Sequence, residues 1–283
     1  MSVSKIGGEK MDNNGRRIKR FNKRLEKEAT YRKQIIETAT DTIMPSGRTV
    51  TSFKKYIYVN KNENVIIPFR FYEAKNSNQP LLIFHGGAGT LGYDNFKTLF
   101  EFYNDANGKA VVKSGCNVLI PQQMHYRYDI DDNYMLGVLS ENIAELVKTL
   151  ISKYSIDETR IYVYGISYGA MCTWKSLFNN PDLYTAAVET MGLLFDYEKA
   201  DFQTIANIPI WLAHSSDDKV VKIDSDDYCY QKLKEADADV KYTRWDKYGH
   251  RMMRRFLKQE PWLEWMLSKR IQPYSNSNIG ETK

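Results

Sequence analysis

The run LLIF, residues 81–84, narrows the possible folds more than any other stretch of the chain. Four consecutive apolar residues between Pro80 and the glycines of HGGAG read as a short strand buried on both faces. Strands of that kind belong to parallel sheets, whose crossover helices cover the sheet above and below. The pattern repeats. Further strands are expected at 117–120, stopped by Pro121, and at 160–164, 186–190, 209–213 and 240–245. Helical periodicity falls between them at 95–105, 137–154, 168–178 and 224–236, with a last helix in PWLEWMLSKR behind Pro261. Upstream, 56–60 and 65–72 form a hairpin across the polar turn KNEN. Eight strands alternating with helices predict an α/β fold, a mostly parallel sheet with helices on both faces and an antiparallel edge. A chain of 283 residues, 42% hydrophobic, is long enough to bury such a core as one unit.

The formal net charge is +5, and much of the excess lies in GRRIKRFNKRLEKEATYRK, with nine Lys or Arg against two Glu. The body is close to neutral, which points away from a nucleic-acid partner. Residues 1–50 read as a basic leader, disordered and then helical from about 16 to 44, where Pro45-Ser46-Gly47 ends the helix. Ile18, Phe21, Leu25, Ala29, Arg32 and Ile36 fall on one stripe of that helix, so it is expected to pack on the domain or to join a second copy of the chain. The domain itself is expected to run from 51 to 271, with residues 272–283 read as a flexible tail. Three scattered cysteines, Cys116, Cys172 and Cys229, suit a reducing, cytoplasmic setting rather than a disulfide framework. No stretch approaches the ~18 apolar residues that a membrane span needs.

Chemistry enters with YVYGISYG, residues 162–169, which places Ser167 in a Gly-x-Ser-x-Gly pentad directly after an expected strand. On a strand-turn-helix such a serine is exposed as a nucleophile, and its partners follow in the order acid, then histidine. Of four histidines only His214 and His250 lie downstream, and His214 ends the strand WLAH before any suitable acid. His250, in the loop YGHR, is the expected base. HSSDDKVV supplies Asp217 and Asp218 past a strand end; Asp217 is preferred as the group that orients the imidazole, with Asp218 as a loop cap. An oxyanion needs fixed N–H donors, and HGGAG after LLIF offers those of Gly87 or Ala88, with that of Tyr168 after the nucleophile. His85 is expected to brace this loop. HGGAGTLG matches no phosphate-binding fingerprint, and no cluster has metal-ligand spacing, so neither cofactor nor metal is expected. The long connection QQMHYRYDIDDNYM brings Tyr126, Tyr128 and Tyr134 toward the expected pocket mouth, where they would line a substrate site.

LLIFHGGAG, DETRIYVYGISYGA, IPIWLAHSSDDKVV, YGH and PWLEWMLSKR together, in this order, resemble α/β-hydrolase esterases and predicted peptidases related to polyhydroxybutyrate depolymerases, feruloyl esterases and the prolyl-oligopeptidase catalytic domain. The resemblance covers about 52–270. It implies a Ser-His-Asp hydrolase working through an acyl-enzyme, with Ser167, His250 and Asp217 in those roles; the short connection between Thr190 and Pro209 leaves room only for a minimal lid, so a small-molecule ester is the expected substrate. Peptide hydrolysis and a non-catalytic binding role are the alternatives. Two departures stand out: Ser215 where relatives usually have glycine, and RMMRR after His250 where they often have an aromatic, which changes the expected wall beside the base.

Overall fold

The computed structural model describes residues 15–124 and 132–271. The chain runs through α1 (Gly15–Thr38), β1 (Ile43–Val50), β2 (Phe53–Asn60), β3 (Val65–Tyr72), β4 (Gln79–His85), α2 (Lys97–Asp105), α3 (Gly108–Lys113), β5 (Asn117–Pro121), α4 (Asp132–Lys153) and β6 (Ile156–Ile166). It continues through α5 (Tyr168–Asn179), β7 (Ala186–Thr190), β8 (Ile210–Ser215), α6 (Asp224–Glu235), β9 (Val240–Trp245), α7 (Met253–Gln259) and α8 (Trp262–Leu267). The described strands form one sheet in the order β1-β2-β3-β5-β4-β6-β7-β8-β9. Pairing is parallel from β5 to β9 and antiparallel through β1, β2, β3 and onto β5.

LLIF shows why this sheet needs two covers. All four side chains are fully buried. Leu81 and Ile83 face a cluster closed by α4, α5 and α6, whereas Leu82 and Phe84 face one closed by α2, α3, α7 and α8. At roughly 1.5–3 kcal/mol for each large apolar side chain removed from water, neither face could carry a polar alternation without loss. A third, smaller cluster sits under α1, where Tyr31, Ile35 and Ile36 pack against Ile57, Val59 and Ile66 of the hairpin.

The leader differs from its sequence expectation. The helix stops at Thr38, and Pro45-Ser46-Gly47 lies inside β1, a ninth strand, instead of ending a helix at Met44. Register breaks between Pro45 and Gly47, and again before Val50. An edge strand tolerates this, because the missing proline N–H need have no ladder partner on the outer side and bulges are absorbed there. The short helix α3 carried too few periodic residues to be foreseen. Among the described residues, no helix is long and apolar enough to cross a membrane.

Candidate active site

The parallel strands end together along one edge, and the site is built from the turns that leave it. Ser167 sits between β6 and α5 with φ 54° and ψ −116°, a left-handed conformation that costs a non-glycine residue on the order of 1–3 kcal/mol and persists only where its surroundings fix it. Its N–H donates to Thr190 O at 2.9 Å. The two glycines of the pentad are required by packing. A Cβ on Gly169 would lie 2.1 Å from His85 O, and one on Gly165 would lie 2.3 Å from Thr173 Oγ1. The motif is therefore a sharp elbow pressed against the end of β4.

Ser167 Oγ lies 2.8 Å from His250 Nε2, and His250 Nδ1 lies 2.6 Å from Asp218 Oδ2. The sequence expectation for the acid is thus corrected: Asp218, not Asp217, meets the imidazole. The tight turn after β8, closed by Asp218 N–H to Ser215 O at 3.1 Å, points residue 217 outward and folds residue 218 back beneath the sheet edge. Asp218 Oδ1 accepts N–H bonds from Val220 at 2.8 Å and Val221 at 3.1 Å. Burial opposes its charge, but the bonds from His214 and His250 outweigh that and hold its carboxyl well below the usual range. Asp217 has another task. Its Oδ1 accepts from Ser215 Oγ at 2.7 Å and from Gly249 N at 2.8 Å, tying the acid loop to the histidine loop. The sequence signal that could have chosen between them is Asp-Lys-Val-Val, in which an aspartate can cap its own turn by accepting the N–H groups of the two valines, the second of them buried.

The loop after β4 approaches the serine, since a Cβ on Gly87 would stand 3.7 Å from Ser167 Cβ. Gly87 was an expected oxyanion donor, and this is also corrected. Its N–H is already given to Glu101 Oε2 at 2.9 Å. The N–H of Ala88 has no acceptor among the described residues, and that of Tyr168 follows directly on the serine at the start of α5. Glu101 was missed in the sequence. Burial, offset in part by the Gly87 bond and reinforced by Asp105, pushes its pKa up to about 7. His85 is fully buried, and desolvation holds its imidazole neutral with a pKa lowered to about 3. Gln122 braces the same loop by donating to Thr90 O at 2.8 Å, while Gly92 N–H reaches Gln123 O at 2.8 Å.

The phospholipase/carboxylesterase family model matches residues 70–260. The chain belongs to that family. A thermostable esterase of known structure is 25% identical, with a TM-score of 0.67 over 78% of this chain and 64% of its own. This chain therefore spans less than two-thirds of the length of that esterase. The *Bacillus cereus* carboxylesterase is 17% identical, with a TM-score of 0.57 over 72% of this chain and 97% of its own. The *Pyrococcus horikoshii* acylaminoacyl peptidase is 14% identical, with a TM-score of 0.56 over 81% and 43%. The last two share the fold. A comparison with curated proteins gave no match.

In this family member a second layer of charge lies behind Asp218. His214 Nδ1 is 2.6 Å from Asp226 Oδ2, and its Nε2 is 3.2 Å from Val221 O and 3.3 Å from Asp218 Oδ2. Both ring nitrogens face acceptors, so both carry protons, and the buried imidazolium shares its positive charge between the two carboxyl groups. Burial lowers its pKa, but the bonds to Asp218 and Asp226 prevail and raise it to about 10. Glu189, in β7, is buried beside Asp226 and accepts Gly192 N–H at 2.7 Å. Desolvation and the neighbouring Asp226 charge push its pKa well above the usual carboxylate range. Of the expected substrate residues, Tyr126 and Tyr128 lie outside the described residues. Tyr134 stands in the first turn of α4, 66% exposed. Among the described residues no group of side chains could hold a metal ion.

Proposed function

We propose that this chain is a serine hydrolase that cleaves carboxylic esters of small or medium acyl groups through an acyl-enzyme. The observation that carries the reading is the hydrogen-bonded line from Ser167 Oγ through His250 to Asp218. In the first half-reaction Ser167 Oγ attacks the ester carbonyl while His250 Nε2 takes its proton. The oxyanion so formed is received by the N–H groups of Ala88 and Tyr168, an interaction worth ~3 kcal/mol per donor in transition-state stabilisation. Collapse of the tetrahedral species breaks the bond to the alcohol oxygen, which leaves with the proton from His250. Water then enters by the same route and releases the acid. Asp218 stays ionised throughout and holds the ring with Nε2 toward the serine.

A fluorophosphonate probe tests the assignment. The native chain is expected to label and Ser167→Ala not to; labelling that survives the substitution removes Ser167 from the nucleophile's place. Turnover of 4-nitrophenyl butyrate is expected to exceed that of aminoacyl anilides, and the reverse order would make the chain a peptidase.

A further inference from the structure

The stretch KYGHRMMRRFLKQ, residues 247–259, contains five Lys or Arg and no acid. Arg254, Arg255 and Lys258 of α7, spaced by three and four, and Arg251 in the turn just before it present one basic face, while Met252, Met253 and Phe256 are buried in the core. That face forms a groove of about 480 Å³ with Tyr248 and Gln259. Arg254 has a carboxylate partner, Asp105, at 2.7 Å. Among the described residues, Arg251, Arg255 and Lys258 have none within ion-pair distance.

Within the fold only Asp105, paired with Arg254, and the Tyr248 ring, under Arg255, offset this concentration of charge. Like charges three and four apart repel, and Arg254 and Arg255 stand in the first turn of α7, where the helix dipole disfavours cations. Tyr248 adds a further cost, because it holds φ 103°, which is unusual for a bulky residue. That backbone sets its ring under Arg255, whose guanidinium carbon is 4.2 Å from the ring centroid, and Lys247 Nζ lies 5.6 Å from the same centroid. A stacked guanidinium keeps its N–H edge free and fixed, as recognition of a planar carboxylate or a phosphate demands.

Two of the residues that line the groove flank the base in the chain. Tyr248 and Arg251 bracket Gly249-His250 in one short turn, and adjacent Cα atoms are only ~3.8 Å apart. His250 is the group that returns a proton to the departing alcohol, so the part of a substrate lying on its side of the site is the alcohol part. We propose that this groove binds an acidic group, carboxylate or phosphate, carried on the alcohol portion of the ester. The inference rests on the ester-hydrolase reading above.

The test compares three butyrate-type substrates: 4-nitrophenyl butyrate, its analogue with a carboxylate on the nitrophenyl ring, and 4-nitrophenyl hydrogen glutarate, with the acid on the acyl side. The ratio of kcat/KM for the ring-carboxylate ester to that for the plain ester is expected to fall about tenfold in Arg251→Gln/Arg255→Gln, and to fall likewise in 0.5 M NaCl. The ratio for the glutarate ester should move by less than twofold. Lys148→Gln, which removes a cation elsewhere, should leave both ratios as they are. A ring-carboxylate ratio that is the same in parent and double variant overturns the proposal, and a larger fall for the glutarate ester puts the acid on the wrong side. An independent readout is calorimetric binding of the alcohol product, 5-hydroxy-2-nitrobenzoate, to Ser167→Ala. Weaker binding on adding the two Arg→Gln changes supports the groove, and undiminished binding or none at all refutes it. Neither result depends on hydrolysis, so failure of the ester-hydrolase reading, seen as absent probe labelling and turnover, stays distinguishable from failure of the groove.

Discussion

At the scale of single residues, the two adjacent aspartates separate what a sequence can tell from what it cannot. That Ser167 and His250 would meet was legible because pentad, chain order and the shortage of histidines leave no competitors. Asp217 and Asp218 are chemically identical, and only the direction of a tight turn distinguishes them. Asp218 is buried against His250 and His214, whereas Asp217 is exposed and bonds Gly249 N–H. Their amide variants should therefore differ sharply. Asp218→Asn leaves the imidazole without an anion and presents an amide to Nδ1, and kcat for 4-nitrophenyl butyrate is expected to fall by ~10³–10⁴. Asp217→Asn keeps an oxygen acceptor for Ser215 and Gly249, and should cost less than about tenfold. Steady-state kinetics on both variants decide the matter, and equal losses would return the role to Asp217.

At the scale of elements, the loop between β4 and α2 was placed by its glycines, but its donor set was not. HGGAG announced backbone close to the serine; which N–H would point inward depended on a carboxylate fourteen residues away in α2, which no local pattern reveals. Glu101 fixes the loop by accepting Gly87 N–H, and its burial makes that anchor sensitive to pH. The sign follows from a folded pKa of about 7 against an ordinary 4.5. The folded state binds the proton more tightly than the unfolded one, so this contribution is fully present below pH 4.5 and is lost as pH rises through 7. With screening of its partly exposed carboxyl allowed for, the loss amounts to about 2 kcal/mol. Glu101→Gln retains an oxygen acceptor without the charge. Urea unfolding between pH 4.5 and 7.5 is expected to show a flatter stability profile for the variant than for the parent, and parallel profiles would mean that Glu101 is not the titrating group.

At the scale of the whole molecule, the sheet was readable wherever burial is two-sided, because LLIF and its counterparts have no polar face to mislead the eye. Legibility failed at the edge. β1 contains Pro45, Ser46 and Gly47 and buries little, so its pattern resembled a helix terminus, although it pairs with β2 across a broken register. The role of α1 follows from the same edge. Tyr31 stacks on Tyr93 with centroids 4.4 Å apart, and Ile35, Ile36 and Ala39 help to cover Ile57, Val59 and Ile66 of the hairpin. This end of the helix completes the third cluster within its own chain. Removing residues 1–40 while retaining β1 would expose that cluster and is expected to lower stability by about 3 kcal/mol, estimated from three to four apolar side chains of which part remains covered. For a chain of this size that corresponds to a drop in Tm of roughly 5–10 °C. Calorimetry on the shortened chain checks it. The Ser167–His250–Asp218 line hangs from β6, β8 and β9 on the other side of the sheet's centre from β1 and β2, so fluorophosphonate labelling at 25 °C should survive. An unchanged Tm would mean that the helix contributes nothing to the folded domain, and that its apolar stripe is available for a second copy.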